Sequence, residues 1–345
     1  MKVSDFDYTL PEELIAQEPA EPRDASRLLV LDRKTGRTEH RRFYHLPEYL
    51  AGGDLLVVNR TRVLPARLLG HKSPTGARVE VLLLRRVEGD TWEALVRPGR
   101  RLRPGHTVSF DGGRLSAVVR GPGADGTRLV DLTTGGSELS VDQAIHEAGR
   151  MPLPPYIHRY VDDPERYQTV YGDQEGSAAA PTAGLHFTPG LLERLQGDGV
   201  RVGHLTLHVG IGTFRPVAVQ DVEEHVIHRE WYSVPGDLER QVSETRAADK
   251  RVVAVGTTSV RTLETVAAGN GGLIKAGSGE SQLFIYPGYR FQVVDAMVTN
   301  FHLPRSSLLM LVSAFAGREM ILEAYREAVG LGYRFFSFGD AMLIL

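Results

Sequence analysis

The 345-residue chain has no cysteine, which excludes disulfides, thiolate zinc sites and cysteine nucleophiles. It also lacks a hydrophobic run of membrane length. The longest near-apolar stretch, residues 308–316, falls far short of the ~20 residues a spanning helix needs. Met1, Lys2, Val3, Ser4 and Asp5 do not form the basic-then-apolar opening of a secretory signal. The expectation is therefore a cytoplasmic protein with no membrane partner. A strong charge of one sign is missing too, since a net −3 argues against a uniformly basic nucleic-acid coat. What is present is ordinary globular material: 42% hydrophobic and 24% charged residues exclude wholesale disorder, and the length suits two domains.

The charge is unevenly spread. Residues 60–150 hold 15 Lys+Arg against 10 Asp+Glu, a net of +5, which leaves −8 for the remainder. The bias sits early, with 11 basic and 4 acidic residues in 60–104. Such a split suits a region that meets a polyanion, and a solvated sheet face with basic turns would give the same count.

The texture of the chain divides in the same way. Residues 27–32 (RLLVLD) and 54–59 (DLLVVN) read as buried strands, after a short helix over 10–16. From 60 to 134, short Val-, Leu- and Thr-rich runs at 77–84, 91–96, 107–110, 115–119 and 128–132 alternate with Gly- and Pro-containing turns. That cadence predicts a small antiparallel barrel or sandwich. Helices are expected over 141–149, 189–196, 237–249, 306–316 and 318–329, with Thr188 capping the second of them. Strands are expected over 200–209, 251–255, 283–286, 291–294 and 333–338, and the 251–255 strand runs through 256–259 into a further helix ending near Ala268. No internal repeat is visible. The fold expectation is an α/β catalytic domain built from both ends of the chain, 1–60 and 150–345, with a small antiparallel β-barrel inserted as residues 61–149.

Several stretches are rich in small and polar residues where a core would want bulk. Residues 176–187 (GSAAAPTAGLHF) allow close backbone approach to a ligand, with His186 at its edge as acid or base; a tight crossing with a buried histidine is the plain alternative. Residues 207–214 (LHVGIGTF) follow a strand and suit a flat ligand over backbone, although a lone Gly-x-Gly is weak and no dinucleotide fingerprint follows. In residues 255–264 (VGTTSVRTLE) a buried strand ends in Gly, two Thr and a Ser as a helix begins. Capping needs one hydroxyl, so the surplus in Thr257, Thr258 and Ser259 points to ligand binding at the helix start. His225 and His228, near Glu224 and Glu230, are three apart rather than the four of a zinc-protease helix, which leaves structural or acid–base roles ahead of metal. Asn300, His302 and Arg305 could face one cavity across a turn into a Ser-capped helix. Asp340 places a carboxylate at the end of the last predicted strand, where open α/β sheets keep ligands.

Taken in order, these stretches resemble the S-adenosylmethionine:tRNA ribosyltransferase-isomerases of queuosine biosynthesis. The resemblance spans the whole chain, from 6–11 (FDYTLP), 15–19 (IAQEP) and 54–59 through 180–187, 207–213, 256–264, 299–304 and 333–340. Residues 121–126 and 269–279 look like variable loops and add nothing to it. It implies an α/β domain with an inserted β-barrel. It also implies transfer of the ribosyl part of S-adenosylmethionine onto 7-aminomethyl-7-deazaguanine at a tRNA wobble position. Isomerisation there gives epoxyqueuosine, with release of adenine and methionine. S-adenosylmethionine is then a consumed co-substrate, and no metal or further cofactor is expected. Such chemistry needs acid–base groups and exclusion of water. His186 and His208 are the catalytic candidates. Thr257, Thr258, Ser259, Arg261, Asn300, His302 and Asp340 are the substrate-binding ones. The partner is a tRNA anticodon stem-loop, for which Arg97, Arg100, Arg101 and Arg103 are the leading phosphate contacts, on a chain taken as a monomer. Two rivals are an S-adenosylmethionine-dependent RNA methyltransferase and a non-catalytic RNA-binding protein. The first lacks its glycine-rich loop here, and the second leaves the hydroxyls and histidines without a use.

Overall fold

A computed structural model describes residues 1–123, 126–136, 138–159, 163–210 and 217–345; of Arg101 it describes the backbone. The sequence motif at 207–214 and the loop at 121–126 therefore lie partly outside the described residues. The chain divides into two compact units. One comprises 1–61, 155–174 and 180–345; the other comprises 62–154 and 175–179.

The larger unit is built on a nine-stranded sheet. Its order across the sheet is Gly277–Ser281, Glu230–Val234, Arg201–Leu207, Leu55–Asn59, Val252–Val255, Ala296–Asn300, Ala341–Ile344, Arg27–Leu31 and Thr38–Arg42. Four central strands, from Arg201–Leu207 to Ala296–Asn300, run parallel. Leu55–Asn59, Val252–Val255 and Ala296–Asn300 are buried at every position, as expected of a sheet covered on both faces. The first core layer joins the helices Gly236–Ala247, Gly256–Gly269, Ser307–Ala316 and Arg318–Gly330 to one face, through residues such as Val260, Leu263, Leu309 and Tyr325. The second covers the other face with Phe43, Phe187, Leu191 and Leu195.

The smaller unit is a closed antiparallel barrel. Strands Arg67–Lys72, Ala77–Glu88, Thr91–Arg97, Arg128–Thr133, Leu115–Pro122 and Thr107–Phe110 pair in that order, and the last returns to the first through Gly70↔Phe110. Alternate residues Val79, Val81 and Leu83 face an interior shared with Trp92, Phe110 and Leu115. The fold class is thus the α/β sheet with an inserted barrel expected from the sequence.

Several elements differ from expectation. The last strand is Ala341–Ile344 rather than 333–338; Phe335 makes a single bridge to Ile15, and the left-handed Phe336 (φ 73°) breaks the run. No strand forms at 291–294, because the Gln292, Val293 and Val294 N–H groups bond to the buried Glu264 carboxylate at 2.8–3.0 Å. No strand forms at 283–286 either, and the strand in that region is Gly277–Ser281. The helix expected over 10–16 is one 3₁₀ turn, Glu12–Leu14.

Glu264 therefore ties the helix Gly256–Gly269 to the segment that leads into Ala296–Asn300, with the Tyr289 hydroxyl donating to it as well (3.1 Å). Glu264→Gln replaces one acceptor oxygen by an amide facing N–H donors. It is expected to lower the unfolding free energy by about 2–4 kcal/mol. Urea denaturation of both proteins checks this, and an unchanged midpoint would contradict it.

Candidate active site

The parallel strands end at one edge of the sheet, where chain reversals open a cavity of about 280 Å³. Gly256 makes the tightest of these reversals. Its φ of 83° turns the buried strand Val252–Val255 directly into the helix Gly256–Gly269, and no side chain caps that helix. Its first-turn N–H groups are consequently left for a ligand. Residues 256–258, 180–183 and 299–304 line the cavity, together with Tyr156, Val209, Ser306, Leu308, Phe336 and Ser337. Among these described residues none is charged. The surface is apolar, with a few hydroxyls, one amide and one imidazole, the usual make-up of a small-molecule site.

The surplus hydroxyls at the helix start separate into two uses. Thr257 and Thr258 line the cavity, and the Thr258 Oγ1 is buried without a hydrogen-bond partner among the described residues. Ser259 instead points inward and donates to the Val255 carbonyl (2.8 Å), a bond within the helix.

Asn300 and His302 line the same cavity. Asn300 Nδ2 donates to His186 Nε2 (3.2 Å) and the Phe336 carbonyl (3.0 Å), while its Oδ1 accepts from Thr182 (3.5 Å). His302 Nε2 meets Thr299 Oγ1 at 2.8 Å, and the Tyr8 hydroxyl donates to its carbonyl. Arg305 does not join them: it is exposed and paired with Asp7.

His186 stands behind the cavity wall rather than in its lining. Its Nδ1 meets the Ser26 hydroxyl at 2.8 Å, and the ring stacks on Phe43 at 5.0 Å. Because Nε2 accepts from Asn300, the proton is on Nδ1. The small residues of 176–187 serve this crossing as well as the cavity. A Cβ on Gly184 would collide with the Tyr171 hydroxyl. His208 lies beside the lining residue Val209, stacked on Trp231 at 5.0 Å, with Nδ1 2.8 Å from Thr61 Oγ1. Thr61 can donate to the Gln174 carbonyl (3.4 Å). In that arrangement His208 Nδ1–H donates to Thr61, and Nε2 has no partner among the described residues.

Asp340 is away from the cavity lining. At 2% exposure its carboxylate accepts from Arg27 N–H (2.9 Å), Arg27 Nε (3.2 Å) and Arg334 N–H (2.8 Å), which fixes the chain entering the last strand. Arg261 is 6% exposed and ion-paired with Glu230, whose other oxygen accepts from Gly210 N–H (2.8 Å). It faces a second, smaller cavity. His225 packs edge-on against Phe284, and among the described residues no three His, Asp or Glu side chains group as a metal site.

Sequence reasoning left out Tyr156, Phe336 and Ser337 as cavity walls. The Tyr156 hydroxyl bonds Ser337 Oγ (2.6 Å), and the Tyr156 and Phe336 rings are 4.2 Å apart. The proline-rich texture of 151–156 was the available signal, because a loop of that kind runs irregularly and can close over a site. In the barrel unit Arg97, Arg100 and Arg103 are exposed, and their side chains have no ion pair or hydrogen bond among the described residues. The Arg101 side chain lies outside the described residues.

A family described as queuosine biosynthesis protein matches residues 3–344. A Moorella thermoacetica relative named S-adenosylmethionine:tRNA ribosyltransferase-isomerase is 59% identical over 345 residues, covering 100% of both chains. A Thermotoga maritima relative of the same name is 58% identical over 347 residues, again covering 100% of both. The crystal structure of S-adenosylmethionine tRNA ribosyltransferase from Thermotoga maritima aligns with a TM-score of 0.57 and 47% identity, covering 99% of this chain and 100% of that one.

The histidines give a pH prediction. Burial pushes His302 down to about 3, and His186 and His208 to about 4, from an ordinary 6.5. Below pH 6.5 the unfolded chain takes up protons at these positions that the folded chain refuses. Stability present at pH 7 is therefore lost progressively as pH falls from 6.5 towards 4. Urea midpoints measured in steps over that window should decline, and a flat profile would contradict the burial of neutral imidazoles.

Proposed function

The chain belongs to the queuosine biosynthesis protein family, and on that premise we propose that it transfers the ribosyl part of S-adenosylmethionine onto 7-aminomethyl-7-deazaguanine in tRNA. The product is epoxyqueuosine, and adenine and methionine leave. The observation that carries this reading is similarity at 59% identity along the entire chain to a protein named for the reaction. The cavity supports it: about 280 Å³ is near the lower end of the ~300–1,000 Å³ range of small-ligand sites, and its uncharged lining with paired aromatic rings suits a nucleoside.

The residues then take roles in the chemistry. The sulfonium acidifies hydrogens on the neighbouring ribose carbon, and a neutral base removes one. His208 fits that base, with Nδ1–H held by Thr61 and Nε2 unprotonated at neutral pH. Thr257, Thr258 and the helix start hold ribose hydroxyls. Asn300 and His302 face the adenine or the incoming base. His186 is a positioning residue, acting through Asn300. Ser259 and Asp340 serve the site by fixing backbone. No metal or further cofactor enters this scheme, and the protein works in the cytoplasm as a monomer. Among the described residues no helix is long and apolar enough to cross a membrane.

The exposed arginines of the barrel supply contacts to the tRNA backbone. The side chains of Arg97, Arg100 and Arg103 have no partner among the described residues, so phosphate contact breaks no ion pair seen there.

Product analysis by mass spectrometry tests the reaction. Purified protein with S-adenosylmethionine and tRNA bearing 7-aminomethyl-7-deazaguanine is expected to release adenine and methionine in step with epoxyqueuosine. S-adenosylhomocysteine with a methylated nucleoside would establish the methyltransferase alternative instead. His208→Ala should slow adenine release by about 100-fold or more with its circular dichroism unchanged, and normal turnover would remove His208 as the base. Replacing Arg97, Arg100 and Arg103 by Ala should weaken tRNA binding and reduce its salt slope by about 2–3, leaving S-adenosylmethionine affinity as it was. An unchanged tRNA affinity would assign those arginines to a solvated turn.

A further inference from the structure

Arg261 presents an unsolved balance of hydrogen bonds. It lies in the second turn of the helix Gly256–Gly269, 6% exposed, with Nη1 committed to Glu230. Its Nε and Nη2 are buried with no hydrogen-bond partner among the described residues. A guanidinium stays charged in proteins, so two of its donors face the interior unmet. These two nitrogens form one edge of the planar fork, the edge that matches both oxygens of a carboxylate.

Arg261 lines a cavity of about 30 Å³ together with His225, His228, Glu230, Phe284, Ser307 and Leu308. Since a water needs ~10–15 Å³ by this measure, the space accommodates a group of about two oxygens, such as a carboxylate. Ser307 opens a ten-residue helix whose cap, Ser306, satisfies the Leu309 N–H. The remaining first-turn donors add positive potential on that side. Leu308 lines this cavity and the large one alike, so the two are neighbours.

We infer that this cavity is the subsite for the α-amino-acid end of S-adenosylmethionine, with Arg261 Nε and Nη2 holding the carboxylate and Glu230 facing the ammonium. The inference rests on the reading of S-adenosylmethionine as co-substrate, and it extends that reading to a place for the methionine portion. An α-amino acid is a zwitterion, and Arg261 with Glu230 is a pair of opposite charges. The ligand adds no net charge to a buried site, and each of its charges meets its opposite. The nucleoside then occupies the neighbouring uncharged cavity.

Calorimetric titration of the full chain with two ligands tests this. S-adenosylmethionine carries the carboxylate, whereas decarboxylated S-adenosylmethionine keeps the sulfonium and the amine without it. The wild-type protein is expected to prefer the first by about 10- to 100-fold, as a charge-assisted bidentate pair allows. The double variant Arg261→Gln, Glu230→Gln, which leaves no lone buried charge, should bind both ligands alike at the weaker level. Equal wild-type affinities, or a preference that survives in the double variant, would overturn the subsite; the wild-type comparison stands even if the variant does not fold. A variant that loses tRNA affinity and keeps its ligand preference would reassign Arg261 to a tRNA phosphate. A wild-type protein that binds S-adenosylmethionine and releases adenine without preference overturns the subsite alone. One that binds neither ligand and releases no adenine overturns the co-substrate reading and the subsite together.

Discussion

The Asn300 side chain is where three separate segments become one wall. It ends the buried strand Ala296–Asn300, where ladder pairing stops and the backbone turns. Its amide carries the bonding onward, to His186 from 182–186, to Phe336 near the C-terminus and to Thr182. A side chain that both donates and accepts can do this, and an aspartate would lack the two donors. Asn59 repeats the device two strands away: Nδ2 donates to the Leu207 carbonyl and Oδ1 accepts from the Leu207 and Thr61 N–H groups, at 3.0–3.1 Å. That clamp sets where the chain enters His208, and Thr61 then fixes its ring. Two asparagines at the carboxyl ends of parallel strands thus determine where both catalytic candidates sit.

Burial governs the chemistry these positions can offer. A histidine in water would be part-charged near neutrality, but each of the three discussed here is kept neutral by desolvation. They are available as bases and hydrogen-bond partners, and poor as stored acids. Charge is instead held in pairs. Asp54 is met by Arg251 at the amino end of the central strands, Asp340 by Arg27 and Arg334, and Glu230 by Arg261. The first two are complete within the protein. The third leaves half of its guanidinium unused, and the difference separates a structural ion pair from one shaped for something else.

Much of this was legible in the sequence, for identifiable reasons. Leu55–Asn59 and Val252–Val255 are continuous apolar runs because both faces of the sheet are covered. The barrel strands alternate because one face is solvated. Thr38–Arg42, Glu230–Val234 and Gly277–Ser281 gave no such signal, being edge or near-edge strands with little apolar surface to bury. The stretches around the cavity stood out through their small residues and hydroxyls. The division of labour within them did not. Thr258 and Ser259 differ in direction by one helical step, and His186 lies behind Asn300 rather than beside a ligand. The placing of His186 depends on contacts with Asn300 and Ser26, more than a hundred positions away, which no local pattern encodes.

The uncharged lining of the large cavity bears on the proposed reaction in a further way. S-adenosylmethionine brings a fixed positive sulfonium, and no carboxylate among the described lining residues lies there to balance it. Water would stabilise that cation well; a low-dielectric cavity does so poorly. Removal of a proton from the carbon beside the sulfur converts the cation to a neutral ylide, so the same cavity penalises the starting state more than the product of the first step. A neutral base gains charge in that step, and His208, half-buried at the margin of the lining, can share the gain with solvent. An anionic carboxylate lining would reverse the preference, since it would hold the sulfonium as a stable ion pair. The absence of charge in the described lining is therefore what deprotonation at this centre calls for, and methyl transfer, which also discharges a sulfonium, would gain from it without needing the base.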